Sequence, residues 1–89
     1  MKFKRKENAI ALDDKNGKEV AILEFKIHQD VYYIIRTYVD DSLRGQGVAS
    51  KLMHALIELL EETGSKASCV CSYSVAWFEK HPEYAKYLK

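Results

Sequence analysis

The residues best suited to chemistry lie between Arg44 and Ala49, in the stretch "RGQGVA". Gly45 and Gly47 flank one glutamine directly behind an arginine, and an apolar pattern of helical period follows. A helix start carries unpaired N–H groups and a partial positive charge. Glycines remove side chains that would hold an anion away, and the planar fork of Arg44 suits phosphate oxygens. The segment is either a phosphate cradle or a plain glycine turn. It is not a Walker loop, because no Lys-Ser/Thr pair follows its last glycine, and it lacks the third glycine of the dinucleotide fingerprint.

A second reactive group is Cys71, in "SCVCSY". A thiolate there can take up an acyl group by thioester exchange, and a helix beginning just after it would favour the thiolate. No Lys or Arg flanks it, and the other reading is a small thiol filling space. Cys69 reads as core. Two residues apart on one strand, the two thiols point the same way and are poorly placed to bond each other. Zinc at Cys69, Cys71 and His81 would have at most three ligands and no paired spacing, so no metal is expected.

The remaining polar and aromatic residues have plainer readings. His54 falls off the apolar stripe of its helix and reads as solvated, and His28 as a turn residue. Glu24 is a surface carboxylate or a conceivable base. Tyr32, Tyr33 and Tyr38 are strand formers, with Tyr38 also beside the glycine loop. Trp77 and Phe78 read as a lid on the core. Asp40 and Asp41 would repel a phosphate, so they are expected to point away from the loop.

The elements that must position these groups follow from periodicity. A short strand spans about Asn8 to Leu12, and "DDKNGKE" supplies a hairpin turn with Asn16-Gly17 at positive φ. "EVAILEFKIH" alternates as a second strand, "HQD" breaks it, and "VYYIIRTYV" is a third. From about Gly47, Val48, Leu52, Leu56, Leu59 and Leu60 form a helical stripe, with Gly64 as its stop. "KASCVC" fits a fourth strand, "SYSVAWFEKH" a short helix ending before Pro82, and the tail is open to either reading. The order is β-β-β-α-β-α: antiparallel strands first, then a right-handed βαβ crossover that makes strands three and four parallel. The fold class is α/β with a mixed sheet whose second face stays partly open.

Composition narrows the partners. The 89 residues form one expected domain, 1–89, with 47% hydrophobic and 30% charged residues. Fourteen basic residues stand against 13 acidic ones, which gives no electrostatic reason to expect nucleic acid. The basic cluster Lys2, Lys4, Arg5 and Lys6 reads as a solvated end. No apolar run approaches a membrane span, and the start lacks a secretory h-region, so a cytoplasmic location with reduced thiols is expected.

In this setting "LRGQGVASKLM" resembles the acyl-CoA signature of the GNAT superfamily of N-acetyltransferases, Arg/Gln-x-x-Gly-x-Gly/Ala, with Arg44, Gly47 and Ala49 at the defining positions. "TYVDDSLRGQGVA" and "CSYSVAWFEKHPEY" are similar to a small, compact GNAT-like subfamily of acetyl-CoA-binding proteins with a cysteine at a strand end, followed by Ser or Pro and an aromatic. The likeness runs from about Val31 to Tyr84. It implies acetyl-CoA as co-substrate, with pyrophosphate held by Arg44, Gly45, Gln46, Gly47, Val48 and Ala49. It implies a pantetheine arm paired with the free edge at Thr37, Tyr38 and Val39, and a thioester near Cys71. An N–H near Val39 would receive the oxyanion. Larger members protonate the leaving thiolate with a tyrosine. Phe78 falls in that region here, and Tyr73 is the substitute.

The acceptor implied is an unidentified amine. Larger members wall it with helices between the first two strands; here only "DDKNGKE" lies there, so the acceptor side is open, borrowed or absent, and an open side suits a large acceptor such as a protein amine. Two rivals are a module that binds acyl-CoA without turnover and a small interaction domain whose glycine loop is only a turn.

Overall fold

The computed structural model describes residues 2–89, and the account of the structure concerns these. Five strands form one mixed sheet in sequential order: β1 (Lys4–Lys6), β2 (Ala9–Asp13), β3 (Glu19–His28), β4 (Val31–Val39) and β5 (Lys66–Cys69). Helix α1 (Val48–Thr63) connects β4 to β5, and α2 (Ser72–Lys80) follows β5. Strands β1 to β4 pair antiparallel, while β4 and β5 pair parallel, Val31 with Lys66 through Ile34 with Cys69.

Turn chemistry fixes the antiparallel register. Between β2 and β3, the Asp14 carboxylate accepts the Asn16 and Lys18 N–H groups, and Gly17 takes φ +83°. Between β3 and β4 only Gln29 and Asp30 intervene, both at positive φ, as a twisted two-residue hairpin requires. Gly64 takes φ +69° and ends α1, with its N–H on the Leu60 carbonyl.

One core fills the space between the sheet and both helices. Leu23, Phe25, Tyr32 and Ile34 meet Leu52, Met53, Leu56 and Leu60 of α1 and Trp77 and Phe78 of α2. The stripe of α1 is broader than its leucines suggest: Met53 and Ile57 are buried and Leu59 only half-buried. On the opposite face Ala9, Ala11 and Ile22 form a small separate cluster. No helix packs there among the described residues. Ion pairs stand on this part of the sheet instead: Lys4 with Asp13, Lys6 with Glu19 and Arg36 with Glu24.

Two expectations need correction, and one open reading is resolved. The basic cluster is not only a solvated end, because Lys4–Lys6 is a strand at the sheet edge. Exposed charge is how an edge resists further pairing. The fourth expected strand, "KASCVC", ends at Cys69, so Cys71 is not on it and instead caps α2. The tail forms a 3₁₀ turn over Pro82–Tyr87, and Leu88 then bridges to Ala67.

Candidate active site

The site begins with a defect in β4. Glu24 faces Arg36 and Phe25 faces Ile34, which leaves Ile35 as an extra residue. Such a bulge bends its strand. Pairing with β5 stops at the same place: the N–H groups of Val70 and Cys71 both donate to the Ile34 carbonyl, each at 3.0 Å. Beyond Ile34, β4 has no strand neighbour on that side among the described residues.

The free edge is specific. The Asp40 N–H donates to the Val20 carbonyl at 2.7 Å. By alternation Tyr38 also turns its backbone groups toward β3, and Thr37 and Val39 turn theirs outward. Of the three residues read as an open edge, Tyr38 therefore spends its own amide inside the sheet. Its phenol donates to Asp40 at 3.3 Å, and that negative charge raises the Tyr38 pKa.

The glycine loop follows directly. Asp40 caps the turn Asp41–Leu43, accepting from the Ser42 N–H at 3.0 Å and its hydroxyl at 2.6 Å. These bonds hold the Asp40 carboxyl below the usual carboxylate range. Gly45 and Gly47 take φ +81° and +69°, a region that penalises any Cβ. Gly47 caps α1, and its carbonyl accepts the first helical bond, from the Lys51 N–H at 3.1 Å. The N–H groups of Val48, Ala49 and Ser50 precede that bond and have no acceptor inside the helix.

Asp41 does not turn away as expected. Its carboxylate accepts from Arg44 Nε at 2.8 Å across the turn, with both side chains at least 80% exposed. An ion pair this open to water contributes little, so an arriving anion can exchange for it.

Edge, loop and second helix enclose one cleft of about 550 Å³. Thr37 and Val39 line it from β4, Arg44, Gly45 and Gly47 from the loop, Val48 and Ala49 from α1, and Tyr73 from α2. Leu43 and Ser50, which the sequence reading did not single out, line it too. Ser50 had a signal: it stands three residues past Gly47, in the first turn of the helix. Tyr38, Gln46 and Cys71 are not on its wall; the Gln46 N–H donates to the Leu43 carbonyl at 3.3 Å.

Tyr73 and Cys71 differ in setting. Burial raises the Tyr73 pKa, and the neighbouring Cys71 raises it further. The phenol therefore stays protonated through neutral pH and can give a proton up. Cys71 is half-buried against the core, where its thiol donates to Ser74 Oγ at 3.1 Å and Ser74 Oγ donates to the Cys71 carbonyl at 2.8 Å. Ser74 is fully buried, and nothing in the sequence marked it as the partner of that thiol. Burial pushes the Cys69 thiol up.

The back of the cleft is braced by aromatics. Trp77 is buried in the core, and its Nε1–H donates to Ser50 Oγ at 3.0 Å. His81 stacks on Trp77 at 4.1 Å with its Nδ1 2.8 Å from the Trp77 carbonyl oxygen. Tyr84 stacks on the same ring at 5.5 Å. Trp77 and Phe78 are the lid read from the sequence. His54 is exposed but not merely solvated, since it meets the Trp77 ring edge-on at 5.3 Å. Among the described residues no group of three His, Cys, Asp or Glu could hold a metal ion, and no helix is long and apolar enough to cross a membrane.

The parallel pair opens at the bulge beside the glycine loop, and residues 9–87 match the family model for GCN5-related N-acetyl-transferases. The chain belongs to that family. Among solved structures it is similar to a GCN5-like protein from Staphylococcus aureus, at 28% identity over 99% of this chain and 87% of that one, with a TM-score of 0.81. The fold also matches the ribosomal-protein-S18-alanine N-acetyltransferase from Escherichia coli (23% identity, 85% of this chain, 53% of that one, TM-score 0.66). It matches glucosamine-6-phosphate N-acetyltransferase from Arabidopsis thaliana as well (22% identity, 81% and 56%, TM-score 0.59). This chain thus spans little more than half of those two proteins. No curated protein matches it significantly in sequence.

Proposed function

We propose that the chain is an acetyl-CoA-dependent N-acetyltransferase. The observation that carries this reading is that one cleft joins the glycine loop, the unpaired edge of β4 and Tyr73. The free N–H groups at the start of α1 and the fork of Arg44 suit a pyrophosphate. Thr37 and Val39 offer outward N–H and C=O groups to a chain of amides, as a neighbouring strand would. The Val39 N–H is the donor available to a developing oxyanion.

In the reaction, an acceptor nitrogen attacks the thioester carbonyl carbon. The N–C bond forms, the C–S bond breaks, and the leaving sulfur takes a proton. In this reading Tyr73, on the wall of the same cleft, supplies it. An ammonium acceptor loses two protons in all: one restores the Tyr73 phenol and one goes to water. Cys71 is an alternative first acceptor of the acetyl group, by exchange of one thioester for another. Acetyl-CoA mass labelling decides this: an adduct in the wild type that is absent from Cys71→Ala supports a relay. Full transfer by Cys71→Ala eliminates it.

A second reading, a module that binds acyl-CoA without turnover, is favoured by Phe78, a buried ring without a hydroxyl. Titration calorimetry beside a thiol-release assay over a panel of amines separates the two. Turnover above the uncatalysed rate supports the enzyme; tight binding without release supports the module.

A further inference from the structure

Trp77 is the only tryptophan of the chain, and it is 3% exposed. A buried indole N–H needs an acceptor. This one reaches from α2 to the first turn of α1 and donates to Ser50 Oγ. Ser50 is half-buried and lines the glycine-loop cleft. Side chains on a helix lean toward its N-terminus. The Ser50 hydroxyl therefore lies over the first turn, beside the N–H groups of Val48, Ala49 and Ser50 that have no acceptor inside the helix.

The indole decides what that hydroxyl can do. A serine hydroxyl has one proton to donate and two sites that accept. Trp77 occupies one accepting site, and the proton then points away from the ring. Among the described residues the Ser50 hydroxyl donates no hydrogen bond of its own. Released from the indole, it would be free to turn back onto the Gly47 carbonyl, three residues earlier. Thr63, at the other end of α1, makes such a bond to the Leu59 carbonyl at 2.9 Å. The indole is itself held in place. His81 and Tyr84 both stack on it with ring planes 19° apart, and His81 Nδ1 also meets the Trp77 carbonyl.

We infer that Ser50 donates its hydroxyl proton to a phosphate oxygen of coenzyme A, and that Trp77 is the positioning residue that aims it. This rests on the acetyl-CoA reading and adds a side-chain donor to the backbone donors of the loop. The bonds form a chain: indole N–H to Ser50 oxygen, Ser50 O–H to phosphate. Each bond in such a chain polarises the next, so a bound phosphate strengthens the bond from the indole.

The test uses the full chain with coenzyme A and with pantetheine, which ends before the diphosphate. A single tryptophan gives a single indole N–H resonance. Coenzyme A is expected to move it downfield, and pantetheine at the same concentration to leave it in place. By calorimetry, Ser50→Ala is expected to weaken coenzyme A binding about tenfold, the range of a hydrogen bond to a charged group. Trp77→Phe keeps the hydroxyl but frees it to turn, so a smaller loss of about threefold is expected. Ser50→Ala strands the indole N–H and lowers the melting temperature. With Trp77→Phe added, both partners are gone, so the double variant should melt no lower than Trp77→Phe alone while its affinity stays that of Ser50→Ala. A purely structural bond would change the melting temperatures and leave coenzyme A affinity unchanged. That result, or an indole resonance that pantetheine moves as far as coenzyme A does, overturns the inference while the acetyl-CoA reading stands. Should Trp77→Phe fail to fold, Ser50→Ala and the wild-type resonance decide the matter alone. If coenzyme A itself fails to bind, the underlying reading falls and this inference with it.

Discussion

Arg44 and Asp41 form an exposed pair beside a loop that is otherwise built of bare amides. If an anion is the guest, Asp41 is both a competitor for the guanidinium and a repelling charge. Asp41→Asn is therefore expected to tighten coenzyme A binding by up to about fivefold, and Arg44→Ala to weaken it. Calorimetric titration measures both, and raising the salt concentration should shrink both effects. Tyr73 makes a sharper residue-scale prediction. As general acid it is worth about a hundredfold, so Tyr73→Phe should lower kcat by that order with coenzyme A affinity preserved. Its raised pKa gives the pH dependence a sign. The protonated phenol is the active form, so activity falls as pH rises through a value above that of free tyrosine, and the Tyr73→Phe profile lacks that alkaline limb.

Two glycines at the ends of α1 separate fold from function. Gly47 and Gly64 share φ +69° and nearly the same ψ, 24° and 26°, and a Cβ on either would meet nothing within 4 Å. Alanine at each should cost about the same, some 1–2 kcal/mol of left-handed strain, read as matched drops in melting temperature. Only Gly47→Ala should weaken coenzyme A binding, because only Gly47 lines the cleft. Equal binding by both variants would mean that the loop is a turn and nothing more.

The same element shows what a sequence discloses. Helix α1 was legible because a 3.6-residue period between two glycines has one simple explanation. The glycine loop was legible as a motif, and Thr37, Val39 and Tyr73 as its companions. Strand β1 was not, since Lys4–Lys6 is exposed throughout and carries no alternation to read. The bulge at Ile35 was hidden because it arises from register against β3, a long-range fact. Cys71 read as strand because "SCVCS" continues the β-rich pattern. Only the shared Ile34 carbonyl ends the ladder two residues sooner. His54 is polar and off the stripe, yet the tail folding back beneath it turned a solvated position into an aromatic contact.

At the scale of the molecule, two helices and the core lie on one side of the sheet, and small residues under ion pairs lie on the other. That arrangement spends few residues, and it leaves little redundancy. Leu52 is fully buried, so Leu52→Ala should cost about 2–5 kcal/mol, a large part of the stability of a domain this size, as chemical denaturation would show. The edge strand β1 is tied to the last turn of α1 by Arg5 and Glu62, at 2.9 and 2.6 Å. Arg5 holds the Glu62 carboxyl below its ordinary range. A depressed carboxyl lends stability above its unfolded pKa and loses it as pH falls through the folded one. Glu62→Gln should therefore flatten the acid side of a melting-temperature profile and leave the alkaline side unchanged.

The central claim is that the cleft receives acetyl-CoA along the open edge of β4. Amide NMR spectra recorded during titration with acetyl-CoA test it most directly. The expected result is saturable shifts at Thr37, Val39, Gly45, Gly47, Val48, Ala49 and Tyr73, with the β1–β2 edge silent. Spectra that do not move at millimolar acetyl-CoA, or that move only away from this cleft, would contradict it.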